Sequence, residues 1–294
     1  MKKVAVVGVP GKWSSEKLAD AVAELSGFRC LVDPARVSLD LTTGRAWYDG
    51  LDLMSLDGLI IKKVGQVYSP KLLDRIEMLR YIASRGVRIF SSPESILRVL
   101  NRLSCTVSLR MAGIPLPPTV VTENVAEAVR AVQAFGRCVL KPLYSSKARG
   151  MVVTEPSPGL YEELVDYQAS GPGHEVIYVQ KLIDLPGRDL GLVFLGGRYL
   201  AAYARVGRKG AWNTTIASGG RYQAHEPGPE LIDLAGRAQK IFDLDFTCVD
   251  VAETDQGPLV FEVSAFGGFR GLWEGGGLDA ARAYARYAFE ELGQ

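Results

Sequence analysis

Two apolar, strand-like runs near the C-terminus, each with one carboxylate in its interior, constrain the fold of this chain more than any other feature. They lie within FTCVDVAETDQGPLVFEVS, residues 246–264, and carry Asp250 and Glu262. The connection Asp255-Gln256-Gly257 ends in glycine, which suits a three-residue hairpin turn whose last residue enters the left-handed region. The sequence therefore predicts an antiparallel hairpin in which Asp250 lies directly opposite Glu262.

The same register divides the other side chains of the hairpin between two faces. Counting outward from the turn predicts three further opposite pairs: Thr254 with Pro258, Ala252 with Val260, and Cys248 with Ser264. Ser264 thus shares the face of the two acids. The other face is predicted to be apolar and consists of Val249, Val251, Phe261 and Val263.

Two acids on one face of a sheet need a physical reason. Like charges directly opposite each other repel, and ionised carboxylates are rarely buried unless they are paired, hydrogen bonded or bound to a metal. Mg²⁺ prefers carboxylate oxygens and completes its shell with water and substrate phosphates. The hairpin therefore indicates a magnesium site, and the alternative is a partly exposed hairpin with two solvated acids.

Composition narrows the classes of function. Lys and Arg number 34 against 33 Asp and Glu, so the chain carries almost no net positive charge that would attract nucleic acid or an anionic membrane. The four cysteines are scattered without a C-x-x-C motif, which argues against structural zinc and fits a reduced compartment. No run is apolar and long enough to cross a membrane. We expect a cytoplasmic protein with neither nucleic-acid nor membrane partners.

Two common nucleotide motifs are missing from the first strand-to-helix turn. In VVGVPGKWSS only two residues separate Gly8 from Gly11, and Trp13 follows Lys12, so neither G-x-x-x-x-G-K-[ST] nor G-x-G-x-x-G is matched. A nicotinamide-dependent oxidoreductase is therefore disfavoured, and this turn is interpreted as a structural connection that could line a cleft. His174 and His225, the only histidines, lie in turn-like segments, so chemistry based on imidazole is not expected.

The chain begins with alternating strands and helices and continues with hairpins. Strands are predicted at 4–9, 28–32, 57–64 and 87–90, with helices near 13–26 and 70–84. This order favours a small parallel sheet covered by helices. A helix starts after Ser92 and stops before Gly113, and the pattern then predicts these elements: helices near 124–135 and 159–169, strands at 138–142, 151–155 and 175–183, a hairpin at 189–206, and a closing helix at 278–292.

Element order and several short motifs resemble the ATP-grasp superfamily, in particular its RimK-like branch of alpha-L-glutamate ligases. The matching segments cover nearly the whole chain: LSCTVSLRMAGIPLPPTVV, VLKP, VQKLI, GRDLGLVF, AAYARV, WNTTIASGG and VDVAETDQGPLVFEVSA. The resemblance implies an α/β (α+β) ATP-grasp fold with three parts. These are an N-terminal Rossmann-like parallel-sheet domain (1–91), a central α+β lid subdomain (92–174) and a C-terminal antiparallel-sheet subdomain with the metal site (175–294).

The resemblance also implies a function and a set of site residues. The function is ATP- and Mg²⁺-dependent ligation of a small-molecule or peptide carboxylate to an amino-acid amine, through an acyl phosphate, with Mn²⁺ as an alternative ion. Carried over to this sequence, the metal ligands are Asp250, Glu262 and Ser264. The nucleotide-binding residues are Arg102, Lys141, Lys147, Gln180, Lys181, Leu182, Ile183, Asp189 and Thr215. Lys141 and Arg205 would contact the transferring phosphoryl group, and a homo-oligomer is a further expectation from the family.

Four positions depart from the family pattern. Ser264 and Thr215 replace asparagines, Arg102 replaces a lysine, and Lys181 replaces an acid that relatives often have. The loop YSSKARG, with Lys147 and Arg149, also lacks most glycines of the usual phosphate-covering loop. The alternative is therefore a catalytically weakened relative that acts as a nucleotide-binding or scaffold protein. Four cations are candidate anchors for anionic substrate groups: Lys12, Arg208, Arg221 and Arg270.

Overall fold

A four-stranded parallel sheet opens the fold in this computed structural model, which describes residues 2–67, 69 and 71–293. The elements of this region are β1 (Val4–Val7), α1 (Trp13–Ser26), β2 (Leu31–Val32), β3 (Ser38–Asp40), β4 (Arg45–Tyr48), β5 (Leu51–Asp52), β6 (Gly58–Ile61), α2 (Lys71–Ser84) and β7 (Arg88–Phe90). The strand order is β2-β1-β6-β7, and β1 and β6 are buried at every position. Such continuous apolar runs are typical of parallel strands covered on both faces.

Helices α1 and α2 cover opposite faces of this sheet. Leu18 and Val22 of α1 pack with Val4 and Val6, whereas Ile76 of α2 packs against the other face of the sheet. The three strands β3, β4 and β5 form a separate small antiparallel sheet that the sequence did not predict. Each has only two to four residues of mixed polarity, too few for a clear alternation to appear.

The central region folds around a four-stranded antiparallel sheet. Its elements are α3 (Pro93–Leu100), α4 (Arg102–Met111), β8 (Thr119–Thr122), α5 (Val125–Phe135), β9 (Cys138–Leu140), β10 (Val152–Thr154), α6 (Leu160–Ala169) and β11 (Ile177–Lys181). The strand order is β10-β9-β11-β8, so the sheet extends past residue 174. Helices α5 and α6 pack against it in a small separate core.

One predicted helix is two helices in the structure. The sequence offered one start at Ser92 and one stop at Gly113, and Ser92 does cap α3 by accepting a hydrogen bond from the Ser95 N–H. Asn101 then leaves the helical conformation and caps α4, with its side chain accepting from the Ser104 N–H. A single asparagine therefore ends one helix and begins the next, as its capping preference allows.

A five-stranded antiparallel sheet completes the fold. Its region contains β12 (Arg188–Leu195), β13 (Arg198–Val206), β14 (Arg221–Ala224), α7 (Pro229–Lys240), β15 (Phe246–Ala252), β16 (Leu259–Ser264), α8 (Phe269–Gly276) and α9 (Ala280–Glu291). The strand order is β14-β13-β12-β15-β16. One continuous apolar core joins this sheet to the first one through residues such as Ile61, Leu192 and Val249. The α/β (α+β) fold class is confirmed, while the domain boundaries stay a prediction.

Helix length and polarity bear on membrane insertion. Across residues 2–67, 69 and 71–293, no helix combines the length and the apolar character that a bilayer crossing requires.

Candidate active site

A cleft of about 590 Å³ lies where the parallel sheet, the central sheet and the C-terminal sheet meet. Its walls bring together all thirteen residues that the sequence singled out for metal, nucleotide or catalysis. They are Arg102, Lys141, Lys147, Gln180, Lys181, Leu182, Ile183, Asp189, Arg205, Thr215, Asp250, Glu262 and Ser264. A cavity of this size with convergent polar groups is the usual form of a small-molecule site.

The two acids of the final hairpin lie opposite each other in the wall of this cleft. Asp250 pairs with Glu262 and Cys248 with Ser264, as the turn predicted. The register shifts next to Asp250, so Ala252 lies opposite Leu259, and the predicted pairing of Ala252 with Val260 is wrong. A β-bulge, which places two residues of one strand against one of the other, explains the shift.

The bulge also changes the side on which Phe261 lies. The sequence placed Phe261 on the apolar face with Val249 and Val263, but its ring lines the cleft and lies 5.4 Å from the Lys141 ammonium. Val249, Val251 and Val263 are buried on the other face as predicted. The extra residue thus brings an aromatic ring beside a cation in the cleft.

Arg205 bridges two carboxylates that come from neighbouring strands. It donates to Asp189 through both Nε and Nη2, and its Nη2 lies 2.8 Å from Asp250 Oδ2. The Asp189 carboxylate also accepts from the Thr214 hydroxyl. Register explains the cluster, because Asp189 lies opposite Arg205 across β12 and β13, and β12 also pairs with β15, which carries Asp250.

Arg102, at the start of α4, forms an ion pair with the second acid of the hairpin. Its Nη1 lies 3.2 Å from Glu262 Oε2, and its Nε donates to the Pro142 carbonyl at 3.1 Å. Nη2 additionally donates to the backbone carbonyl and hydroxyl of Ser145. Arg102 is buried, so its planar, multidentate guanidinium connects the start of α4 to β16 and to the loop after β9.

Lys141 follows β9 and is buried in the cleft wall. Its Nζ donates to Gln180 Oε1 at 2.5 Å, and Gln180 in turn donates to the Thr119 hydroxyl at 3.0 Å. Burial lowers the pKa of Lys141 to about 7, with the positive charge of Arg102 as a further cause, although Glu262 and Asp250 oppose the shift. Near neutral pH this amine is therefore poised between its charged and neutral forms.

Among the described carboxyl groups, Asp250 has the most perturbed pKa. Burial raises its pKa to about 6, Arg205 opposes that shift, and the negative charges of Glu262 and Asp189 add to it. A divalent cation between Asp250 and Glu262 would remove this penalty, because it favours the ionised form of both.

The oxygen atoms of this face fit Mg²⁺ with a shell completed by phosphate. Asp250 and Glu262 supply two hard carboxylate oxygens, which suit Mg²⁺. The third predicted ligand, Ser264, accepts hydrogen bonds at its Oγ from the N–H groups of Phe266 and Gly267. Within the described part of the chain no group of three or more Asp, Glu, His or Cys side chains could hold a metal by itself. The two carboxylates would therefore share the ion with a ligand.

The sequence did not identify several residues that line the cleft, and some of the anchors expected for substrate lie outside it. The missed residues with chemical interest are Lys63, Tyr203, Trp212, Phe261 and Phe266. Of the four candidate anchors, Lys12 lines the cleft, whereas Arg208, Arg221 and Arg270 are not among its lining residues. Neither histidine lines the cleft, and His174 instead lies against the Tyr167 ring. The first strand-to-helix turn contributes Val9 and Lys12, as the cleft-lining interpretation allowed.

Comparison with known proteins gives a consistent result. A family model described as a RimK-like ATP-grasp domain matches residues 100–287. The tetrahydromethanopterin:alpha-L-glutamate ligase of Methanosarcina acetivorans is 26% identical over 98% of this chain and 98% of its own length. A RimK-domain ATP-grasp protein from Sphaerobacter thermophilus has a TM-score of 0.75 at 22% identity, covering 97% of this chain and 98% of its own. The ATP-grasp ligase PsnB, complexed with a phosphomimetic variant of its minimal precursor, Mg and ADP, has a TM-score of 0.77 at 18% identity, with 99% of each chain covered.

Proposed function

The chain belongs to the RimK-like ATP-grasp family and is an ATP-dependent ligase that joins a carboxylate to an amine, and we propose here how its own residues do so. The proposal rests on one observation above all: Asp250 lies opposite Glu262 in a cleft that also holds Lys141, Arg102 and Arg205. Two acids for a metal and three cations for phosphates are the groups that phosphoryl transfer needs.

The reaction proceeds in two steps. A carboxylate oxygen of the acceptor attacks the terminal phosphorus of ATP, the bond to the bridging oxygen breaks, and ADP leaves with an acyl phosphate formed. The amine of the second substrate then attacks the acyl carbon, phosphate leaves, and the amine loses a proton to give the amide. Positioning and charge stabilisation supply most of the catalysis in such transfers, so the chain needs no nucleophile of its own.

Each cleft residue has a place in this scheme. Lys141, Arg102 and Lys147 would contact the ATP phosphates, and Arg205 would face the transferring phosphoryl group. Gln180, Lys181, Leu182 and Ile183 would line the adenine, with Asp189 near the ribose and Thr215 near the phosphates. Mg²⁺, or Mn²⁺ in its place, would be held by Asp250, Glu262 and Ser264 and would neutralise charge on the phosphates.

Glutamate is the proposed amine substrate. The support is the name of the relatives, several of which are called alpha-L-glutamate ligases. The acceptor is a small-molecule or peptide carboxylate, since the similar ligase structures include complexes with precursor peptides. The second reading, a scaffold without catalysis, is not favoured, because Lys141, Asp250 and Glu262 all converge on one cleft.

Amide formation can be tested directly. The purified protein is incubated with Mg·ATP, glutamate and a panel of acceptor carboxylates. ADP release is followed over time, and the masses of the products are measured by mass spectrometry. The proposal predicts ADP release that depends on an acceptor, with a product heavier by one glutamyl residue. The Asp250→Asn/Glu262→Gln variant should be inactive, whereas Glu230→Gln, at an exposed acid on α7, should retain activity. Acceptor-independent ADP release without product would contradict the ligase scheme.

A further inference from the structure

Two adjacent strands of the parallel sheet end beside the cleft, and their connections diverge. β1 and β6 are neighbours in the order β2-β1-β6-β7. The chain leaves β1 through α1 towards β2 on one side, and leaves β6 through α2 towards β7 on the other. Because α1 and α2 cover opposite faces, the space beyond the carboxyl ends of β1 and β6 is a topological switch point. Open parallel sheets bind ligands in this kind of crevice.

The segment that follows each of these two strands carries a lysine that lines the cleft. Lys12 is the N-cap residue of α1, in the turn that follows β1, and Lys63 lies two residues after the end of β6. Both line the cleft, Lys12 exposed and Lys63 half-buried. Neither side chain forms an ion pair with any carboxylate among residues 2–67, 69 and 71–293.

The loop after β9 adds two more cations to the cleft. Lys147 and Arg149, from the loop after β9, line the same cleft. Within the described part of the chain, the Arg149 guanidinium donates only to Ser146, to its carbonyl and its hydroxyl oxygens. Burial lowers the pKa of Lys63, and the positive charges of Lys147, Lys12 and Arg149 lower it further. Lys12, Lys63, Lys147 and Arg149 therefore repel one another in the absence of an anion.

The charge of the cleft as a whole is unbalanced. Among the residues that the structure describes, eight cationic side chains line it against three carboxylates, an excess of five, although the chain as a whole carries a formal net charge of only +1. The three carboxylates, Asp189, Asp250 and Glu262, are already bound by Arg205 and Arg102. Mg²⁺ cancels part of the charge of the ATP phosphates. The nucleotide complex thus leaves part of the positive excess without a counter-charge.

We propose that Lys12 and Lys63 form an anion subsite for the acceptor, which carries a second anionic group, carboxylate or phosphate, besides the carboxylate that is activated. The two lysines lie in the segments that follow β1 and β6. The residues proposed for adenine and for phosphate, Gln180 to Ile183 and Lys141, come from the central sheet. An acceptor anchored at the switch point would present its reactive carboxylate toward Arg205 and the terminal phosphate. Lys147 and Arg149 line the same cleft and act electrostatically on Lys63, so they would contact both ligands.

This subsite rests on the proposed ligase function, but its test does not require turnover. The full-length protein is titrated by calorimetry at low ionic strength with triglutamate and, in a second arm, with 3-phosphoglycerate, without nucleotide. Comparison of the two arms distinguishes a carboxylate from a phosphate as the second anionic group. The Lys12→Gln/Lys63→Gln variant is compared with Lys240→Gln, a control at an exposed lysine at the end of α7. Each protein is also titrated with Mg·ATP.

We expect at least one probe to bind, and the double variant to lose about tenfold or more of that affinity while its affinity for Mg·ATP changes less than about twofold. The Lys240→Gln control should match the unmodified protein. An equal loss of Mg·ATP affinity would mean that the lysines serve the nucleotide and would overturn the subsite. Binding of neither probe, or binding unaffected by the double variant, would also overturn it.

The two proposals fail in different ways. If no acceptor ever yields an amide but the lysine pair still controls probe binding, the ligase scheme fails and the subsite stands. If amides form and the double variant leaves the KM for the acceptor unchanged, the ligase stands and the subsite fails.

Discussion

Asp250 and Glu262 lie directly opposite each other on β15 and β16, yet each carboxylate is bound by a different arginine. Arg205 lies 2.8 Å from Asp250, and Arg102 lies 3.2 Å from Glu262. The arginines thus offset the repulsion between two acids that a metal ion would otherwise offset. Both arginines line the cleft, where a bound phosphate would offer each of them a further acceptor.

Arg205 should be important for stability as well as for catalysis. In the Arg205→Ala variant, Asp189 and Asp250 lose their shared cation while they remain largely buried. Removing one partner of a buried ion pair costs about 3–5 kcal/mol. We expect urea unfolding at pH 8 to show a loss of about 3 kcal/mol, whereas Arg198→Ala, at an exposed position in β13, should change the free energy of unfolding by less than about 0.5 kcal/mol.

The loss of unfolding free energy in Arg205→Ala should be smaller at low pH. Burial already raises the pKa of Asp250 to about 6, and without Arg205 that pKa rises further, so acid can neutralise the unpaired carboxyl. Unfolding measured at pH 5 should therefore show a smaller difference from the unmodified protein than at pH 8. A loss that is equal at both pH values would show that the unpaired charge is not its cause.

Binding of ATP should be accompanied by proton uptake at Lys141. Burial lowers the pKa of this lysine to about 7 in the free protein, and phosphate beside it favours the charged form and raises the pKa. Between the free and bound pKa values, binding must add a proton, so affinity for ATP falls as pH rises above about 7. Titration calorimetry at pH 8 in two buffers of different ionisation enthalpy measures that proton.

A matched variant identifies the proton acceptor. Lys141→Met should bind ATP more weakly, and the difference in binding enthalpy between the two buffers should be smaller. If the unmodified protein takes up no proton at pH 8, or if Lys141→Met takes up as much, the assignment to Lys141 is wrong.

Ser264 should support the proposed metal site also through the turn that follows β16. Its Oγ accepts the N–H groups of Phe266 and Gly267, and Phe266 and Gly267 line the cleft. Ser264→Ala leaves those two N–H groups without this acceptor, and we expect the Mg²⁺ concentration for half-maximal activity to rise about tenfold. Ser264→Asn keeps an oxygen that can accept the same hydrogen bonds and reach a metal. The Mg²⁺ concentration that this variant needs for half-maximal activity should therefore be no higher than that of the unmodified protein. Equal behaviour of the two variants would exclude this role.

Local signals in the sequence were enough to predict much of the fold and part of the site. The glycine-terminated turn predicted that Asp250 lies opposite Glu262, and apolar runs predicted the parallel strands. The register shift beside Phe261 was not predictable, because a bulge depends on packing across the whole sheet. The sequence of a six-residue strand contains no pattern that indicates one. The arginine partners were hidden for a different reason: Arg102 and Glu262 are separated by 160 residues, and only the tertiary fold brings them together.

The lysines of the proposed subsite show the same limit. Lys62 and Lys63 lie inside the strand predicted at 57–64, but in the structure they follow β6. Lys62 is buried, donates to the Phe266 carbonyl, and its Nζ lies 3.6 Å from the centre of the Phe269 ring. Lys63 turns into the cleft instead. The sheet that packs against these two adjacent lysines determines which of them faces the core and which faces the cleft. That sheet begins more than 120 residues further along the chain.

Calorimetric titration with ATP, in the presence and absence of Mg²⁺, tests the central claim most directly. The unmodified protein is compared with Asp250→Ala/Glu262→Ala, and circular dichroism verifies that the variant is folded. We predict ATP binding that requires Mg²⁺ and that weakens by about 100-fold or more in the variant. Failure of the unmodified protein to bind ATP, or equally tight binding without Mg²⁺ and in the variant, would contradict the account.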